Sequence, residues 1–527
     1  MGPAESIDDD RVKAAIRGGA TRRELLSLFA LTGAGLLLPK GAAWAADTPK
    51  RGGRIRVAGY SSSTADTLDP AKASLSTDYV RCNMFYSGLF AFDAAMTPLP
   101  ALAESVSDDD ATVWTIQLRK GVVFHDGKAL SPADVVFTLN RHKDPAVGSK
   151  AAALAKQIKD VKAGGAGEVV ITLESPNADL PSILATQHFL IVQDGTTDFS
   201  KGIGTGPYKC KEFSPGVRSV AVRNDNYWKP GLPYLDEVEY FTIADESARV
   251  NALLAGDVQV ISEVNARSTK LITSTPGFEL FVSKNGDFTD LIVQLDAPTT
   301  GSADFAMAMK LLQDRDQVLK SVFRGYGVLG NDQPIPPFDR FYNADLPQRA
   351  YDPDKAKFHL KKAGLENGTV QLFTSPAPSY GPEIALLMQQ SAKKAGLTID
   401  VQRVPADGYW SNYWLKKPLV IGNINPRPTP DVMFSLFYKS DAAWNESHWH
   451  DPKFDQLLLA ARRETDFAKR KQMYGDMQAM IHDGAGIGIP AFKSSIDGHV
   501  SALKGLKSIP TGELGGWTFA EYVWLDA

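Results

Sequence analysis

The sequence has few cysteines, no excess of positive charge and no second long apolar run. Its 527 residues include two cysteines, Cys82 and Cys210, too few for a disulfide framework in a chain of this length. Whether these two thiols pair stays open, and two free thiols are the favoured alternative. Lys and Arg total 57 against 61 Asp and Glu, which gives a formal net charge of −4. Because nucleic-acid binding usually shows as a clustered basic face, the composition does not predict it.

The common catalytic and nucleotide-binding patterns are also missing. The chain contains no G-x-S-x-G, no H-E-x-x-H and no G-x-x-x-x-G-K-[ST]. The glycines of GIGTGPY (202–208) precede a strand-like run instead of the helix that a phosphate loop needs, so we expect a turn there. The best metal candidate is the group His448, His450 and Asp451. It lacks a clear third and fourth ligand, and we expect surface or hydrogen-bonded histidines. The sequence predicts no enzyme, no metal and no cofactor.

The most apolar stretch lies near the N-terminus. Leu25–Leu38 is 14 residues long, about 21 Å as a helix, whereas a bilayer core is about 30 Å thick. Arg22 and Arg23 precede it, and Ala43-Trp44-Ala45 supplies a small-x-small cleavage pattern. The pair resembles a twin-arginine signal, with Leu25 where an aromatic residue is usual. We expect residues 1–45 to be a removed signal peptide; the alternative is a buried N-terminal helix.

Helical and strand patterns alternate along the rest of the chain, which indicates an α/β or α+β class. The pattern predicts a strand over 114–118, a hairpin turning at Pro215-Gly216, and a helix from Glu246 to Leu254. Ser131 and Asp134 are typical of a helix N-cap and its acidic partner. Further helices are predicted over 382–397 and, as two consecutive helices, over 451–483, and the stretch 302–323 is predicted to be one uninterrupted helix.

Several segments, in one order along the chain, together resemble the extracytoplasmic solute-binding proteins of the peptide/nickel/opine class (family 5), the binding subunits of ABC importers. The segments are TLDP (67–70), PALAES (100–105), WTIQLRKGVVFHDGKALSPADVVFTLNR (114–141), GTGPYKCKEFSPG (204–216), RNDNYW (223–228), ARVNALLAGDV (248–258) and DPKFDQLLLAARRETD (451–466). No single segment is decisive, but the ordered set covers nearly the whole chain after residue 45.

The resemblance implies an α/β fold in the form of a bilobed periplasmic binding protein clamp. Two strands cross between the lobes, and ligand is enclosed in the cleft as the hinge closes. A smaller extra subdomain is attached to lobe I. Mapped onto this sequence, lobe I comprises 46–74, 200–285 and 497–527, the subdomain 75–199, and lobe II 286–496.

The function implied is capture of a small solute or oligopeptide and its delivery to permease and ATPase subunits in the inner membrane. Capture needs a closing cleft, a few fixed polar groups and aromatic walls, but no nucleophile. We expect a periplasmic monomer, exported by the twin-arginine route, that binds no nucleic acid. Two alternatives stay open, an exported hydrolase and a ligand-sensing receptor on the same fold.

One stretch of lobe II bears on the ligand. Peptide-binding relatives carry G-x-x-x-D-x-x-D-P-D there, and its first Asp pairs with the ammonium group of the ligand. The matching stretch here is GNINPRPTPD (422–431), with Pro426 at the position of that Asp and Arg427 next to it. The resemblance therefore implies that a different ligand end is held.

A guanidinium can hold a carboxylate or phosphate through two parallel hydrogen bonds. An acidic, opine-like or phosphorylated solute is therefore a candidate beside ordinary peptides. The alternative is that Arg427 points to solvent or pairs with an acid, and that the nearby aromatic residues are core. The predicted ligand contacts are Tyr409, Trp410, Trp414, Asn423, Asn425, Arg427 and Asp431.

Overall fold

A computed structural model describes residues 48–526; the predicted signal peptide, with Arg22 and Arg23, lies outside the described residues. The strands are β1 Arg54–Gly59, β2 Phe90–Phe92, β3 Pro98–Pro100, β4 Ala103–Asp109, β5 Val113–Leu118, β6 Ile158–Ala163, β7 Glu168–Leu173, β8 Tyr208–Ser214, β9 Arg218–Arg223, β10 Glu237–Thr242, β11 Val260–Ile261, β12 Phe278–Val293, β13 Gly327–Leu329, β14 Thr369–Thr374, β15 Thr398–Arg403, β16 Leu419–Ile424, β17 Ile487–Gly488, β18 Ala491–Val500, β19 Leu503–Lys504 and β20 Trp524–Leu525.

Helices alternate with these strands. They are α1 Ser76–Phe85, α2 Pro132–Arg141, α3 Ala152–Ala155, α4 Leu180–Leu184, α5 Glu246–Leu254, α6 Thr269–Thr273, α7 Ala303–Leu311, α8 Arg315–Gln317, α9 Pro353–Lys362, α10 Gly381–Lys394, α11 Tyr409–Asn412, α12 Pro430–Phe437, α13 Pro452–Arg463, α14 Phe467–Gly484 and α15 Glu513–Gly516. None of the helices within residues 48–526 is both long and apolar enough to cross a membrane.

A twelve-stranded sheet runs through the molecule. Its main path is β15-β14-β16-β12-β18-β11-β1-β10-β9-β8, with β13 paired to β18 and β17 to β12. We call the part built on β1 and β8–β11 lobe I, and the part built on β14–β16 lobe II. Between them β12 and β18 pair antiparallel, from Phe278 opposite Val500 to Phe288 opposite Phe492. These are the two strands that cross between the lobes, and the expected bilobed α/β clamp is confirmed.

Lobe II buries both faces of its strands. Val420 and Ile421 are neighbours on β16, and their side chains point to opposite faces of the sheet. Ile421 packs in a core with α7, α9 and α10, and Val420 packs in a second core with α12, α13 and α14. Because β14 and β15 pair in parallel, helices on both faces are the expected cover for them. The arrangement holds the loops at the ends of β14 and β16 on a rigid base.

A separate four-stranded antiparallel sheet, in the order β4-β5-β7-β6, forms the subdomain with its own apolar core. It contacts lobe II directly. Arg470 Nη2 lies 2.7 Å from Asp179 Oδ2 in an ion pair whose side chains are both buried, and Ala178 N donates to Arg462 O at 2.8 Å. Since α14 carries Arg470, the subdomain and lobe II are joined by a buried charged contact.

Most local predictions are confirmed. β8 and β9 form the expected hairpin, α5 spans Glu246–Leu254, and Asp134 accepts from both Ser131 N and Ser131 Oγ. Gly204 and Gly206 pack against the backbone of Phe85, and a Cβ at either position would clash with it. Strand β8 begins two residues after Gly206. The two glycines therefore form a close-packed turn, as expected.

One helix prediction is wrong. The stretch 302–323 breaks after α7, because the Asp314 side chain accepts from Gln317 N and starts a new, short helix.

Both cysteines are free thiols, with Cys82 buried and Cys210 half-buried. The lobe boundaries predicted at 285/286 and 496/497 fall inside β12 and β18, the strands that belong to both lobes, and they stay a prediction.

Candidate functional site

Two adjoining cavities lie where the crossing strands pass between the lobes, with volumes of about 710 Å³ and about 450 Å³. They share Asp287 and Ser379. The larger draws its lining from both lobes, including Tyr60 and Glu263 of lobe I and Tyr380 of lobe II. The smaller lies mainly in lobe II and is lined by Asp287, Ala377, Ser379, Trp410, Trp414, Asn423, Ile424, Asn425, Arg427, Phe437 and Trp444.

A bulge in β12 aims polar side chains into these cavities. The pairing of β12 with β18 skips from Lys284 to Phe288, so residues 285–287 leave the ladder. Such a bulge bends a strand and redirects its side chains. Asn285 and Asp287 consequently line the cleft, while a Cβ at Gly286 would lie 3.2 Å from Pro426 Cβ. The absence of a side chain at 286 lets the 425–427 loop approach the crossing strands closely.

Asp287 is the centre of a polar network that joins three elements. Lys493 Nζ on β18 lies 2.9 Å from Asp287 Oδ2, and Asn423 Nδ2 on β16 donates to Asp287 Oδ1 at 3.0 Å. Ser379 N donates to Asn423 Oδ1 at 3.3 Å, which adds the loop before α10. Asp287 is therefore already neutralised by a lysine before any ligand arrives.

The smaller cavity has an aromatic wall. Trp410 and Trp414 pack edge to face with centroids 5.6 Å apart, and Trp444 lies 6.2 Å from Trp414. The ring centroids of Phe437 and Trp444 are 5.5 Å apart. Trp410 is 41% exposed and Trp444 is 42% exposed, so two large apolar surfaces face open space in the cleft. Large aromatic surfaces beside a few fixed polar groups are the usual lining of a small-molecule site.

Arg427 contributes a positive charge to the same cavity. Its Nη1 donates to the carbonyl oxygens of Asn425 and Pro426 at 3.0 and 3.2 Å, and its guanidinium lies 5.2 Å from the Phe437 ring centroid. No carboxylate among residues 48–526 lies within ion-pairing distance of it. Enclosure lowers the pKa of Arg427, opposed by the charge of Asp287, but an arginine stays protonated in proteins. It is thus a half-buried cation without a carboxylate partner.

The lobe I wall of the larger cavity carries charges of both signs: Glu246 and Glu263 lie beside Arg249 and Arg267. Glu263 faces the cleft from a backbone at φ 54°, held there because its N–H donates to Asp497 Oδ1 and because Arg249 Nη2 donates to its carbonyl oxygen. Burial raises the pKa of Asp497 to about 8, and the nearby Glu263 charge adds to the effect. This raised pKa favours the neutral form of Asp497 near pH 7, so the carboxyl group adds little negative charge behind the wall.

Five of the seven residues predicted to contact ligand line the smaller cavity: Trp410, Trp414, Asn423, Asn425 and Arg427. Their contact with a ligand stays a prediction. The other two lie outside both cavities. Tyr409 is fully buried in the lobe II core, where its hydroxyl donates to Ile421 O at 2.6 Å. Asp431 is buried and bound by Arg462 Nε at 3.0 Å, so neither can form a cleft wall.

Asp287 and Lys493, which reach the cleft from the crossing strands, are not among the residues predicted from the sequence. One signal was available, because an Asn-Gly-Asp run inside an otherwise strand-like stretch is typical of a bulge. Trp444 was missed because it lies in an irregular loop with no periodicity. Two residues of the metal candidate named above have other partners. His448 Nδ1 lies 2.7 Å from Asp296 Oδ1, and the Asp451 side chain caps α13.

The chain is similar to a set of bacterial binding proteins. The profile described as bacterial extracellular solute-binding proteins, family 5 Middle, matches residues 97–445. The glutathione-binding protein GsiB of Pectobacterium atrosepticum is 26% identical over 80% of this chain and 85% of its own length. The dipeptide-binding protein of Escherichia coli K12 is 27% identical over 81% of this chain and 87% of its own length.

A solved structure shows the same architecture. The periplasmic binding protein DppA of Helicobacter pylori, in complex with the peptide STSA, superimposes with a TM-score of 0.72. It is 25% identical in sequence, and the match covers 91% of this chain and 99% of that one.

We expect Asp287 and Lys493 to be energetically coupled. In a double-mutant cycle with Asp287→Asn and Lys493→Met, the coupling should be about 0.5–3 kcal/mol, since the ion pair is largely buried and the two residues share Asn423 as a hydrogen-bond partner. Thermal unfolding of the four proteins measures it. The matched control is the exposed pair Arg267 and Glu383, for which an Arg267→Met and Glu383→Gln cycle should give about 1 kcal/mol or less. Additive effects at Asp287 and Lys493 would contradict the network.

Proposed function

The chain belongs to the bacterial extracellular solute-binding proteins of family 5, and from that premise we propose that it is the periplasmic receptor of an ABC importer for an acidic, peptide-like or opine-like solute. It captures the solute between the lobes without turnover and delivers it to a membrane permease driven by an ATPase. The observation that carries the choice of ligand is the half-buried Arg427 guanidinium, which has no carboxylate partner among the described residues and lies beside an exposed aromatic wall.

The alternatives for Arg427 are less well supported by its surroundings. Asp431, the nearest acid in sequence, is taken by Arg462. A cation in a cleft that loses water on closure needs a counter-charge, and an unpaired one costs several kcal/mol. A carboxylate or phosphate on the ligand supplies that charge, together with two hydrogen bonds.

The polar network around Asp287 also favours a carboxylate or phosphate on the ligand over an ammonium group. A free peptide ammonium would have to compete with Lys493 for Asp287, because the two are already 2.9 Å apart. The Trp410 and Trp444 faces can hold an apolar or planar group next to the anionic one. The proposed contacts are therefore Arg427 for the anion, Trp410 and Trp444 for the apolar part, and Asn425 as a further polar contact.

Arg427→Ala should weaken an anionic solute by about 1.5–3 kcal/mol, the value of hydrogen bonds to a charged group. Calorimetric titration against di- to pentapeptides, opines and sugar phosphates measures this. Arg463→Ala is the matched control, because Arg463 is exposed on α13 and lines neither cavity. Tight binding of unmodified peptides that is indifferent to Arg427→Ala, but lost when their N-terminus is acetylated, would reject the anion site.

Ligand should draw the two lobes together. Small-angle scattering at saturating concentrations of the tightest compound in the panel should then give a smaller radius of gyration than the free protein. The free energy of unfolding should rise by about 2.7 kcal/mol at roughly 100 times Kd, because the compound binds only the native state. An unchanged radius of gyration together with a raised melting temperature would show that the compound binds but that the lobes do not close.

We also propose export by the twin-arginine route. Arg22→Lys together with Arg23→Lys should keep the precursor unprocessed in the cytoplasm, since the arginine pair is read by the translocase receptor. Cell fractionation and immunoblotting of both forms test this, with Lys40→Arg as a control that leaves the pair intact. Processed double mutant in the periplasm would show that another secretion signal acts.

A further inference from the structure

Two acidic side chains lie directly behind the aromatic wall. Asp290 on β12 is 0% exposed and Glu446, in the loop before α13, is 2% exposed. The indole of Trp414 donates from Nε1 to Glu446 Oε1 at 2.6 Å. A residue of the cleft wall is thus fixed in place by a buried carboxyl group.

The carboxyl groups of both acids lie in the space that a side chain at Gly422 would occupy. Asp290 lies opposite Gly422 in the register of β12 and β16. A Cβ at position 422 would clash with Asp290 Oδ1 and would lie 3.1 Å from Glu446 Oε1. Both carboxyl groups therefore approach the same point, and they are each other's immediate neighbours.

No cation compensates the pair. Among residues 48–526, no lysine, arginine or histidine lies within ion-pairing distance of Asp290 or Glu446, and neither oxygen of Asp290 receives an N–H donor. The other titratable groups that face the pair are Tyr409 of α11 and Tyr438 after α12. Burial raises the pKa of both phenols, so they remain neutral.

Two adjacent carboxylates in a buried, uncompensated site cannot both ionise at neutral pH. Burial raises the pKa of Asp290 to about 7, and burial together with the Asp290 charge raises the pKa of Glu446 well above its usual range. A single proton between the two groups also supplies the hydrogen bond that the Asp290 oxygens otherwise lack. The carboxyl pair then keeps one acceptor for the indole.

We propose that Asp290 and Glu446 share one proton and act as positioning residues for Trp414, so that loss of this proton in alkaline solution displaces the indole from its place in the ligand cleft. The functional meaning rests on the proposed role of Trp414 as a wall of the solute site. The placement of the indole itself does not depend on which solute is bound.

The test needs no ligand. We would label the full protein with 5-fluorotryptophan, assign the Trp414 ¹⁹F resonance with Trp414→Phe, and follow it across roughly pH 5–11, a range that covers the raised pKa of about 7 at Asp290 and the more alkaline range in which Glu446 ionises. The Trp414 resonance should titrate, while Trp114 and Trp228, which lie outside lobe II, should not shift. In Glu446→Gln the amide still accepts from the indole but does not ionise, so the alkaline transition of the Trp414 resonance should be lost.

A wild-type Trp414 resonance that does not move over this range, or one that moves equally in Glu446→Gln, would overturn the proposal. Should Glu446→Gln fail to fold, Asp290→Asn provides a second comparison: without the neighbouring Asp290 charge the Trp414 transition should move to lower pH, and an unmoved transition would also overturn the proposal. Failure of the Arg427 titrations would leave this result unaffected, so the two proposals fail separately.

Stability gives a second readout. The folded state holds the proton more tightly than the unfolded chain, in which carboxyl groups ionise near pH 4. The free energy of unfolding should therefore fall as pH rises from about 4 through the folded pKa of about 7. Glu446→Gln should flatten the fall in melting temperature over that range, and an unchanged slope would count against a shared proton.

Discussion

The antiparallel pairing of β12 with β18 is the constraint on which the cleft depends. These strands belong to both lobes, so the three residues that leave their ladder, 285–287, lie where the lobes meet. Gly286 lets the loop of Pro426 and Arg427 pack against the crossing strands, and Asp287 holds Lys493 and Asn423. One irregularity in one strand thus determines where the anion-binding candidate and the polar network stand relative to the hinge.

The two charged residues that line the smaller cavity, Asp287 and Arg427, differ in whether the fold supplies a counter-charge. Asp287 is paired with Lys493, and Asp431 with Arg462. Arg427, which also lines the smaller cavity, donates hydrogen bonds to backbone carbonyls and has no carboxylate partner among the described residues. The pairing of Asp287 matters as much as the presence of the arginine, because it leaves no acid in the smaller cavity at which a ligand ammonium could bind without competition from Lys493.

The sequence predicted local structure better than it predicted contact across the cleft. The bounds of α5 and the hairpin follow from capping and turn residues, which act within a few positions of the chain. Asp287 and Lys493 are 206 positions apart and meet only through strand pairing, which no local pattern reports. Tyr409 was assigned to the wall because α11 is a single turn, too short for periodicity to separate the face that packs in the core from the face that meets the cleft.

That single turn explains how an exposed tryptophan can be held ready for a ligand. Tyr409 is anchored in the core by its hydroxyl, and Trp414 is anchored by its indole N–H. Trp410 lies between them, edge to face with both, at 5.4 and 5.6 Å. Immobilising a side chain on binding costs about 0.5–1.5 kcal/mol. The two neighbours of Trp410 are fixed by buried hydrogen bonds, so part of this cost is already met by the fold for any solute that binds the wall. The polar groups that order the wall, Ile421 O and the Glu446 carboxyl group, lie outside the cavity.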